Sequence, residues 1–495
     1  MKLEEIVEKN LVINLATFKK DKELVEQVQR KLNALNLYPG GAWIDGIYGP
    51  RTEVALVQFC NSLQLDNMKT GKFNRAFAEA LLKSQSEVFG LEAGKYREQV
   101  FLDFLKAEAG FNADKLAFLD RGIDHSPYKT ETEIIPLRLK EKPDGQKVVS
   151  FGKKATPYNS KQSVIFNPYP KIGELPKIDD KGLIFLHTDI KEACICIGSF
   201  VEGEIRAHWL GRNALSNVQM WSTTKIIPIL NTICKVNKQY PTCDIDNTVV
   251  KDKSTGNSYR FNDLVTDVFT YKQKIATSNS LAAMFKRFDT YAGLETWLKN
   301  ITGNKSLQFR GTYGEAAFIS CPEIFDQKLQ RVVLSAAPET AIGNNLVSAY
   351  DLTRIISMLG WHYHLPQAVR LPGAQWNSLE SLIRAMAKDS ARYIDVAIKK
   401  LALQNTIESP VILSKLGFGR SSTRNRTELA YVAFLQFIDT RPKAQGKPAK
   451  LRTLAMALRG AKALEDINQE AIQIDARMAA EVTEIIRRVV TEELI

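Results

Sequence analysis

Residues 215–236, LSNVQMWSTTKIIPILNTICKV, bring a serine and a lysine together at the start of an apolar helical stretch. Positions i and i+3 lie on one face of a helix, so the Lys225 amine is predicted to lie near the Ser222 hydroxyl. A serine hydroxyl is a weak nucleophile, and an amine desolvated against Ile226 and Ile227 could accept its proton. The stretch therefore predicts an activated serine.

The pattern S-x-x-K is short, and two other instances occur in the chain. Ser126–Lys129 and Ser150–Lys153 lie in Pro-, Gly- and Lys-rich surroundings that do not predict the start of a helix. The instance at residues 222–225 opens a buried helix, and Pro228, well inside it, would remove a backbone hydrogen bond and predicts a kink or an irregular first turn. The alternative interpretation is a helix-capping serine beside a solvated lysine.

The composition indicates a globular protein of two or three domains. The chain has 495 residues, of which 44% are hydrophobic and 25% charged, which are ordinary values for globular folds. Its net charge of +12 favours an anionic partner, such as nucleic acid, an acidic membrane or a carboxylate-bearing cell wall. The alternative is that the basic residues only form a solvated surface. The lysines are scattered, and the chain has no arginine- and aromatic-rich strand and no zinc-type spacing. We therefore expect no nucleic-acid partner.

The sequence predicts no metal, no cofactor and no membrane span. The five histidines lack metal-ligand spacing, and there is no phosphate-binding glycine loop. The six cysteines are too scattered for a disulfide framework; Cys194 and Cys196 fit one buried face of a strand, and Cys234 with Cys243 could form a bridge in an oxidising compartment. The N-terminus lacks a signal-peptide-type apolar run, and no stretch reaches membrane-spanning length. We expect a soluble chain, and its export route stays open.

The first 85 residues predict three short helices with a glycine-containing turn between the first two. The turn Asp45-Gly46-Ile-Tyr48-Gly49-Pro-Arg-Thr52 combines glycines for a tight turn with a capping threonine. Together with Val28-Gln29-x-x-Leu32 and Ala55-x-x-x-Phe59, it resembles the three-helix peptidoglycan-binding domain. That resemblance implies binding of glycan or stem peptide, with motif residues that are largely structural. The alternative is a generic three-helix bundle.

Residues 86–182 are predicted to form a helical connector followed by a Pro- and Lys-rich linker. Residues 90–120 have a broad apolar helical face, and the prolines that follow argue against long helices. Short edge strands are predicted within Lys147–Phe151 and Ser163–Phe166.

Residues 183–495 predict a domain of strands and helices. A hairpin is expected around Glu202-Gly203, followed by the Ser222 helix. The further predicted elements are a helix that starts near Ser278, a helix capped by Ser348 and Asp351, a buried strand at Leu429–Phe437 and a terminal helix from Leu464 to Val489.

This order of elements resembles the serine β-lactamase and penicillin-binding protein family, in which S-x-x-K, S-x-N and K-T-G motifs meet in one cleft. The resemblance implies that Ser222 is the nucleophile and Lys225 its proton partner. It further implies that Ser278 relays a proton to the leaving nitrogen, and that Lys415 supplies positive charge. The backbone N–H groups of Ser222 and Phe418 would form the oxyanion hole.

Two positions depart from the family pattern. Ser280 stands where the family has asparagine, and Leu416 stands where it has a hydroxyl residue. The resemblance assigns substrate binding to Ser280 and Gly417, and Arg420 is a candidate to replace the missing carboxylate contact. Glu339 is the nearest candidate for a deacylation base, although its spacing fits poorly and a surface glutamate is the alternative.

We therefore expect an α+β protein with a peptidoglycan-binding domain at 1–85, a connector at 86–182 and a β-lactamase/transpeptidase-like domain at 183–495. That domain should have an antiparallel sheet flanked by helices and an all-helical lobe. The predicted function is serine acyl transfer at the bacterial cell wall, as a β-lactamase-like hydrolase or a D,D-peptidase, with peptidoglycan and β-lactams as ligands. The alternative is an inactive peptidoglycan-binding scaffold with a degenerate form of the same fold.

Overall fold

The structure, a computed structural model, describes residues 1–35, 37–39, 41–63, 65–84, 95–113, 122–158, 160–337 and 342–495. It mixes helix and sheet, at 41% and 22% of residues, as the sequence predicts. The chain forms two compact units. The smaller comprises Met1–Tyr96 and Asp439–Lys450, and the larger comprises Arg97–Ile438 and Leu451–Ile495.

The smaller unit is a set of helices around an aromatic core. Its helices are α1 Leu3–Glu8, α2 Leu15–Lys20, α3 Lys22–Ala34, α4 Pro50–Ser62, α5 Asn67–Thr70 and α6 Arg75–Lys83. Strands β1 (Ile13–Asn14) and β2 (Lys72–Phe73) pair antiparallel. Phe18 stacks on Phe73 with ring centroids 4.5 Å apart, and burial of such rings is the main stabilising contribution in a small helical unit.

This arrangement contains more helices than the three predicted. The predicted apolar faces correspond to α3, α4 and α6, but Asn14 and Asp21 each cap a helix by accepting a backbone hydrogen bond. Each cap starts a new helix because its side chain satisfies one of the unpaired N–H groups of the first turn. The short segment before residue 22 therefore forms separate helices that periodicity alone does not resolve.

The larger unit contains the remaining helices and a large sheet. The helices from residue 95 onward are α7 Lys95–Ala107, α8 Ile135–Arg138, α9 Ile226–Gln239, α10 Phe261–Thr270, α11 Ser278–Lys286, α12 Tyr291–Thr302, α13 Ala349–Gly360, α14 Trp376–Met386, α15 Tyr393–Lys400 and α16 Ile467–Val490. The strands are β3 Val148–Val149, β4 Lys154–Ala155, β5 Val164–Ile165, β6 Asn167–Pro168, β7 Ile178–Asp179, β8 Ile190–Val201, β9 Glu204–Arg212, β10 Thr248–Asp252, β11 Ser258–Arg260, β12 Gln308–Phe309, β13 Pro322–Asp326, β14 Arg331–Ser335, β15 Asn345–Leu346, β16 Ile407–Ser421, β17 Arg426–Asp439 and β18 Ala449–Lys462.

The main sheet has eight strands in the order β16-β17-β18-β8-β9-β6, with β3 beside β18 and β7 beside β9. The predicted hairpin is confirmed: β8 and β9 pair antiparallel through Glu202 and Gly203, whose φ values of 55° and 85° suit a tight two-residue turn. Strand β6 carries Pro168 at the end of the strand order, where its missing N–H removes no ladder bond. The stretch predicted as a linker thus contributes three short strands, β3, β6 and β7, to this sheet.

The region between β9 and β16 differs from the predicted all-helical lobe, and that prediction is wrong. Helices α9 to α15 share it with a four-stranded sheet of order β11-β10-β13-β14. Strand β13 alternates buried and half-buried residues along Pro322–Asp326, which is the period-two pattern of a half-buried strand. Helices α9 to α14 and this sheet together form one hydrophobic core with the inner face of the main sheet.

The predicted terminal helix is confirmed as α16, but it is buried on more than its apolar stripe. Its buried residues include Arg487 and Glu484, which pair through Nε and Oε2 at 2.9 Å. Buried charges are tolerated when they are paired and hydrogen-bonded, so the polar face of this helix also lies inside the fold.

Among the described residues, no helix combines the length and apolar character needed to cross a membrane. All six cysteines are free thiols, so Cys234 and Cys243 do not form the disulfide that was considered. Cys194 and Cys196 are buried in β8, in agreement with the predicted core role.

Candidate active site

Ser222 lies in a 3-10 helix, Trp221–Lys225, that leads directly into α9. The predicted irregular first turn is this 3-10 segment. Pro228, predicted well inside the helix, instead occupies the first turn of α9, where its missing N–H costs no helical hydrogen bond. Pro228 has no N–H to donate to the Thr224 carbonyl, which instead accepts a hydrogen bond from the Tyr313 hydroxyl at 3.2 Å. Trp221 itself has a φ of 52°, a left-handed conformation that is uncommon for a bulky residue.

Strand β16 approaches the backbone of Ser222 closely. A Cβ atom placed on Gly417 would lie 2.8 Å from both Met220 O and Ser222 N, so only glycine allows this approach. Two residues later, a Cβ on Gly419 would lie 2.4 Å from the Trp221 ring. This spacing brings Phe418 to the same cavity as Ser222, where their backbone N–H groups are candidates for a shared oxyanion hole.

Helix α11 brings the second motif to Lys225. Thr277 caps the helix by accepting from Ser280 N at 3.1 Å. Lys225 Nζ donates to Ser278 Oγ at 2.9 Å and to Asn279 Oδ1 at 2.7 Å, and Ser278 Oγ donates to Val268 O at 2.9 Å. The amide that contacts Lys225 is therefore supplied by the second position of the motif, Asn279, rather than by the third.

Lys225 is buried, with 1% of its surface exposed. Burial, together with the positive charge of Lys415, lowers the pKa of Lys225 to about 6, against a weaker opposing effect of Glu315. An amine with this pKa is mostly unprotonated at neutral pH and can accept a proton. Among the described groups, its hydrogen bonds run to α11 and not to Ser222 Oγ, which the sequence predicted as its neighbour.

Lys415 lies in β16 and is fully buried. Its Nζ donates to the Tyr271 hydroxyl at 2.5 Å and to Leu416 O at 3.2 Å. The Tyr271 ring lies with its centroid 3.9 Å from the same nitrogen, a distance typical of a cation–π contact. Lys415 is therefore covered by Tyr271, which the sequence did not single out.

These groups meet at a cavity of about 380 Å³, lined by Ala113, Ser222, Lys225, Tyr271, Gln273, Thr277, Ser278, Asn279, Glu315, Leu416 and Phe418. A second cavity of about 350 Å³ shares Ser222, Asn279 and Phe418 with the first. We call the two together the Ser222 cleft. Three of the four predicted catalytic residues line it directly, while Lys415 lies behind Tyr271.

The other predicted site residues lie outside the Ser222 cleft or outside the described residues. Ser280 and Arg420 do not line it; Arg420 instead donates to Asn425 Oδ1 at 2.7 Å, so it is not positioned for the carboxylate contact that was suggested. Glu339 lies outside the described residues. Glu315 is the carboxylate that lines the Ser222 cleft, and it was missed because no family motif marks its position in this sequence.

Glu315 is tied to the second motif. Its Oε1 accepts from Asn279 Nδ2 at 2.9 Å, and its Oε2 accepts from the Thr277 hydroxyl. Asn279 thus contacts Lys225 through its oxygen and Glu315 through its nitrogen, which fixes the orientation of its amide.

In the smaller unit, the turn motif forms a buried hydrogen-bond cluster around Gln29. Gln29 Nε2 donates to Asp45 Oδ1 at 3.0 Å and to Thr52 Oγ1 at 3.2 Å, and its Oε1 accepts from Gly46 N at 2.8 Å. Gly46 has a φ of 71°, which favours glycine. These residues hold the turn together, a structural role like the one the resemblance implies for them.

The remaining turn residues differ in exposure. The Tyr48 ring packs edge-on against Phe18 with centroids 5.9 Å apart, and Gly49 has open space beside it. Trp43 is 50% exposed, and the Arg51 guanidinium lies 3.6 Å from its ring centroid. This exposed pair is the surface of the turn best suited to a ligand.

Within the described ranges, no cluster of three or more His, Cys, Asp or Glu residues could hold a metal ion.

Comparison with known proteins finds distant structural neighbours. No protein-family model and no curated protein matches this sequence. A class A beta-lactamase from Bacteroides cellulosilyticus aligns at 11% identity and a TM-score of 0.33, over 60% of this chain and 93% of that one. A beta-lactamase from Streptosporangium roseum aligns at 13% identity and a TM-score of 0.35, over 62% and 98%. A peptidoglycan synthetase from Bifidobacterium adolescentis aligns at 11% identity and a TM-score of 0.25, over 60% and 56%.

Proposed function

We propose that this protein is a serine acyl-transfer enzyme in which Ser222 attacks the carbonyl carbon of a β-lactam or of a peptide ending in D-amino acids. The observation that carries the proposal is the position of the Lys225 amine. It is hydrogen-bonded to Ser278 at 2.9 Å, borders the same cavity as Ser222 and has a pKa lowered to about 6. A solvated structural lysine would have none of these properties.

The reaction follows from these groups. As Ser222 Oγ bonds to the carbonyl carbon, its proton passes to Lys225 Nζ. The oxyanion that forms accepts hydrogen bonds from Ser222 N and Phe418 N, with Gly417 allowing the close approach of the two segments. The carbon–nitrogen bond then breaks as Ser278 Oγ gives its proton to the leaving nitrogen and regains one from Lys225. The product is an ester on Ser222 with neutral Lys225 restored.

Release of the acyl group requires a water molecule and a base. Glu315 takes the place of Glu339 in this proposal, because it is the carboxylate that lines the Ser222 cleft. Its hydrogen bonds from Thr277 and Asn279 hold the carboxylate beside the second motif. If Glu315 accepts a proton from water, the ester is short-lived, as in a hydrolase. An ester that persists would favour a peptidase whose acyl group is normally transferred to an acceptor other than water.

We assign the proposed β-lactamase/transpeptidase-like domain, predicted at 183–495, to the larger unit, Arg97–Ile438 and Leu451–Ile495. The smaller unit is proposed as a peptidoglycan-binding module that brings the enzyme to the bacterial cell wall. The exposed Trp43 and the Arg51 that stacks on it support this role, since an aromatic face beside a cation suits both sugar rings and acidic stem peptides. Binding to isolated sacculi should weaken in a Trp43→Ala variant and persist in a Val12→Ala variant, which alters another exposed apolar residue of this unit.

The decisive experiment is covalent labelling with a fluorescent penicillin, followed by intact-mass spectrometry over time. Wild-type protein should gain the mass of the drug, and Ser222→Ala should not. Ser126→Ala is the matched control, because it removes the serine of another S-x-x-K sequence and should label like wild type. The alternative, an inactive scaffold, predicts no adduct from folded protein with either a penicillin or a D-Ala-D-Ala thioester.

A further inference from the structure

Tyr271 lies in contact with Lys415 and also lines the Ser222 cleft. Lys415 is fully buried and does not line the cavity, whereas Tyr271 lines it and accepts a hydrogen bond from Lys415 Nζ. The tyrosine ring also lies against this ammonium group, 3.9 Å from nitrogen to centroid. Of these two residues, Tyr271 is therefore the one that borders the cavity.

The segment that carries Tyr271 is held in a defined conformation. Tyr271 ends α10 with a φ of 54°, and Gln273 has a φ of 49°. Left-handed residues other than glycine carry a conformational cost and persist only where the surroundings fix them. Here Asp267 fixes the loop by accepting from the backbone N–H groups of Lys274 and Ile275, at 3.1 and 2.9 Å.

The Tyr271 hydroxyl has a proton to offer to a ligand. Its oxygen accepts from Lys415, and its own hydrogen has Leu416 O as an acceptor at 3.4 Å, a long and weak contact. A cation that donates to a phenol oxygen polarises the O–H bond and makes the hydroxyl a stronger donor. A carboxylate oxygen in the cavity would be a better acceptor than the carbonyl, because charge-assisted hydrogen bonds are shorter and stronger.

The neighbouring residue shows why such a donor is needed. Leu416 follows Lys415 and lines the cavity with an apolar side chain, so the strand itself offers no side-chain hydroxyl at this position. We propose that Tyr271 Oη, backed by the Lys415 ammonium, binds the carboxylate of the substrate in this protein. This inference rests on the proposed function for the identity of the substrate, but its contact geometry is independent of acyl transfer.

The test compares two probes, a fluorescent penicillin with its free carboxylate and the methyl ester of the same compound. Tyr271→Phe keeps the ring on Lys415 and removes only the hydroxyl. Tyr259→Phe is the matched control, since it removes a phenol hydroxyl outside the Ser222 cleft. Both substitutions are made in the wild-type chain for labelling rates and in the Ser222→Ala chain for reversible binding.

We expect the preference for acid over ester to fall at least tenfold in Tyr271→Phe, in both labelling rate and binding constant, and to be unchanged in Tyr259→Phe. An equal loss with both probes would overturn the inference, because it would assign Tyr271 to the shape of the cleft alone. An unchanged preference would also overturn it. If wild type forms no adduct while Tyr271→Phe weakens acid binding in the Ser222→Ala chain, acyl transfer fails and the carboxylate site stands. If the Ser222→Ala chain binds acid and ester equally, the carboxylate site fails.

Discussion

The protonation state of Lys225 gives the sharpest prediction about this cleft. An ordinary lysine has a pKa of 10.5, whereas burial and the charge of Lys415 lower the pKa of Lys225 to about 6. At pH 7 the free-amine fraction would be roughly 1 in 3,000 at the ordinary value and roughly nine-tenths at the lowered one. If this amine accepts the Ser222 proton, the shift raises the abundance of the proton-accepting form at neutral pH by a factor on the order of 1,000, which is the upper limit of the gain in acylation rate because an amine of lower pKa is also a weaker base.

The rate of Ser222 labelling by fluorescent penicillin should therefore be measured between pH 5 and pH 9. We expect the rate to fall about tenfold per pH unit below pH 6 and to level off above pH 7, because the amine is then almost fully unprotonated. Lys225→Arg, whose side chain stays charged, should lose labelling by at least the same factor of about 1,000. Lys235→Met is the control, since it removes a half-buried lysine of the same helix that pairs with Asp289, and it should keep the wild-type profile.

One outcome would refute this reasoning. A labelling rate that keeps rising about tenfold per unit from pH 7 to pH 9 would mean that the amine remains protonated at neutral pH. Lys225 would then be a structural cation that orients Ser278 and Asn279, and another group would have to take the Ser222 proton.

Three further predictions concern residues around the nucleophile and in α11. Trp221→Phe removes the hydrogen bond that Nε1 donates to buried Glu428, which is 3.0 Å long. The loss of one hydrogen bond costs ~1 kcal/mol, so we expect labelling to slow roughly fivefold. An equal rate with unchanged circular dichroism would show that this bond does not position Ser222. Gly417→Ala places a methyl group 2.8 Å from Ser222 N, and we expect labelling to fall by roughly 100- to 1,000-fold because an oxyanion donor is displaced. A wild-type labelling rate would show that the Ser222 N–H does not stabilise the oxyanion. Burial lowers the pKa of Lys286 from 10.5 to about 7, so its charging makes the folded state less stable as pH falls from 10.5 to 7. Lys286→Met should remove that loss. Urea unfolding at pH 7 and pH 9.5 should therefore show that the variant gains stability relative to wild type as the pH is lowered. A difference in unfolding free energy that is the same at both pH values would contradict the lowered pKa of Lys286.

Local features of this protein could be predicted from the sequence because each depends on neighbouring residues. The Glu202-Gly203 hairpin follows from turn chemistry within a few positions. The Ser348–Asp351 capping box forms as its spacing predicts. In each case the chemical cause lies within one turn of its effect.

The contacts that shape the cleft could not be predicted, because they join distant parts of the chain. Asn279 takes the place at Lys225 that the motif assigns to the next residue, since Thr277 caps α11 and thereby sets which side chain faces the lysine. Tyr271 covers Lys415 across 144 positions, and Glu428 reaches Trp221 across 207. No periodicity or propensity encodes such pairs; they exist only once the helices and the sheet have packed.

In the proposed mechanism Lys225 acts as the base, and Lys415 is the cation that contacts Tyr271. They interact strongly enough that the charge of Lys415 is the second largest cause, after burial, of the lowered pKa of Lys225. Lys415 donates to two oxygens, the Tyr271 hydroxyl and the Leu416 carbonyl, whereas the pKa of about 6 leaves the Lys225 amine mostly unprotonated at pH 7. A substrate carboxylate held by Tyr271 would offset the field of Lys415, and the proton affinity of Lys225 would rise. The base would thus become stronger when a substrate is present to be attacked, and it would stay unprotonated in the empty cleft.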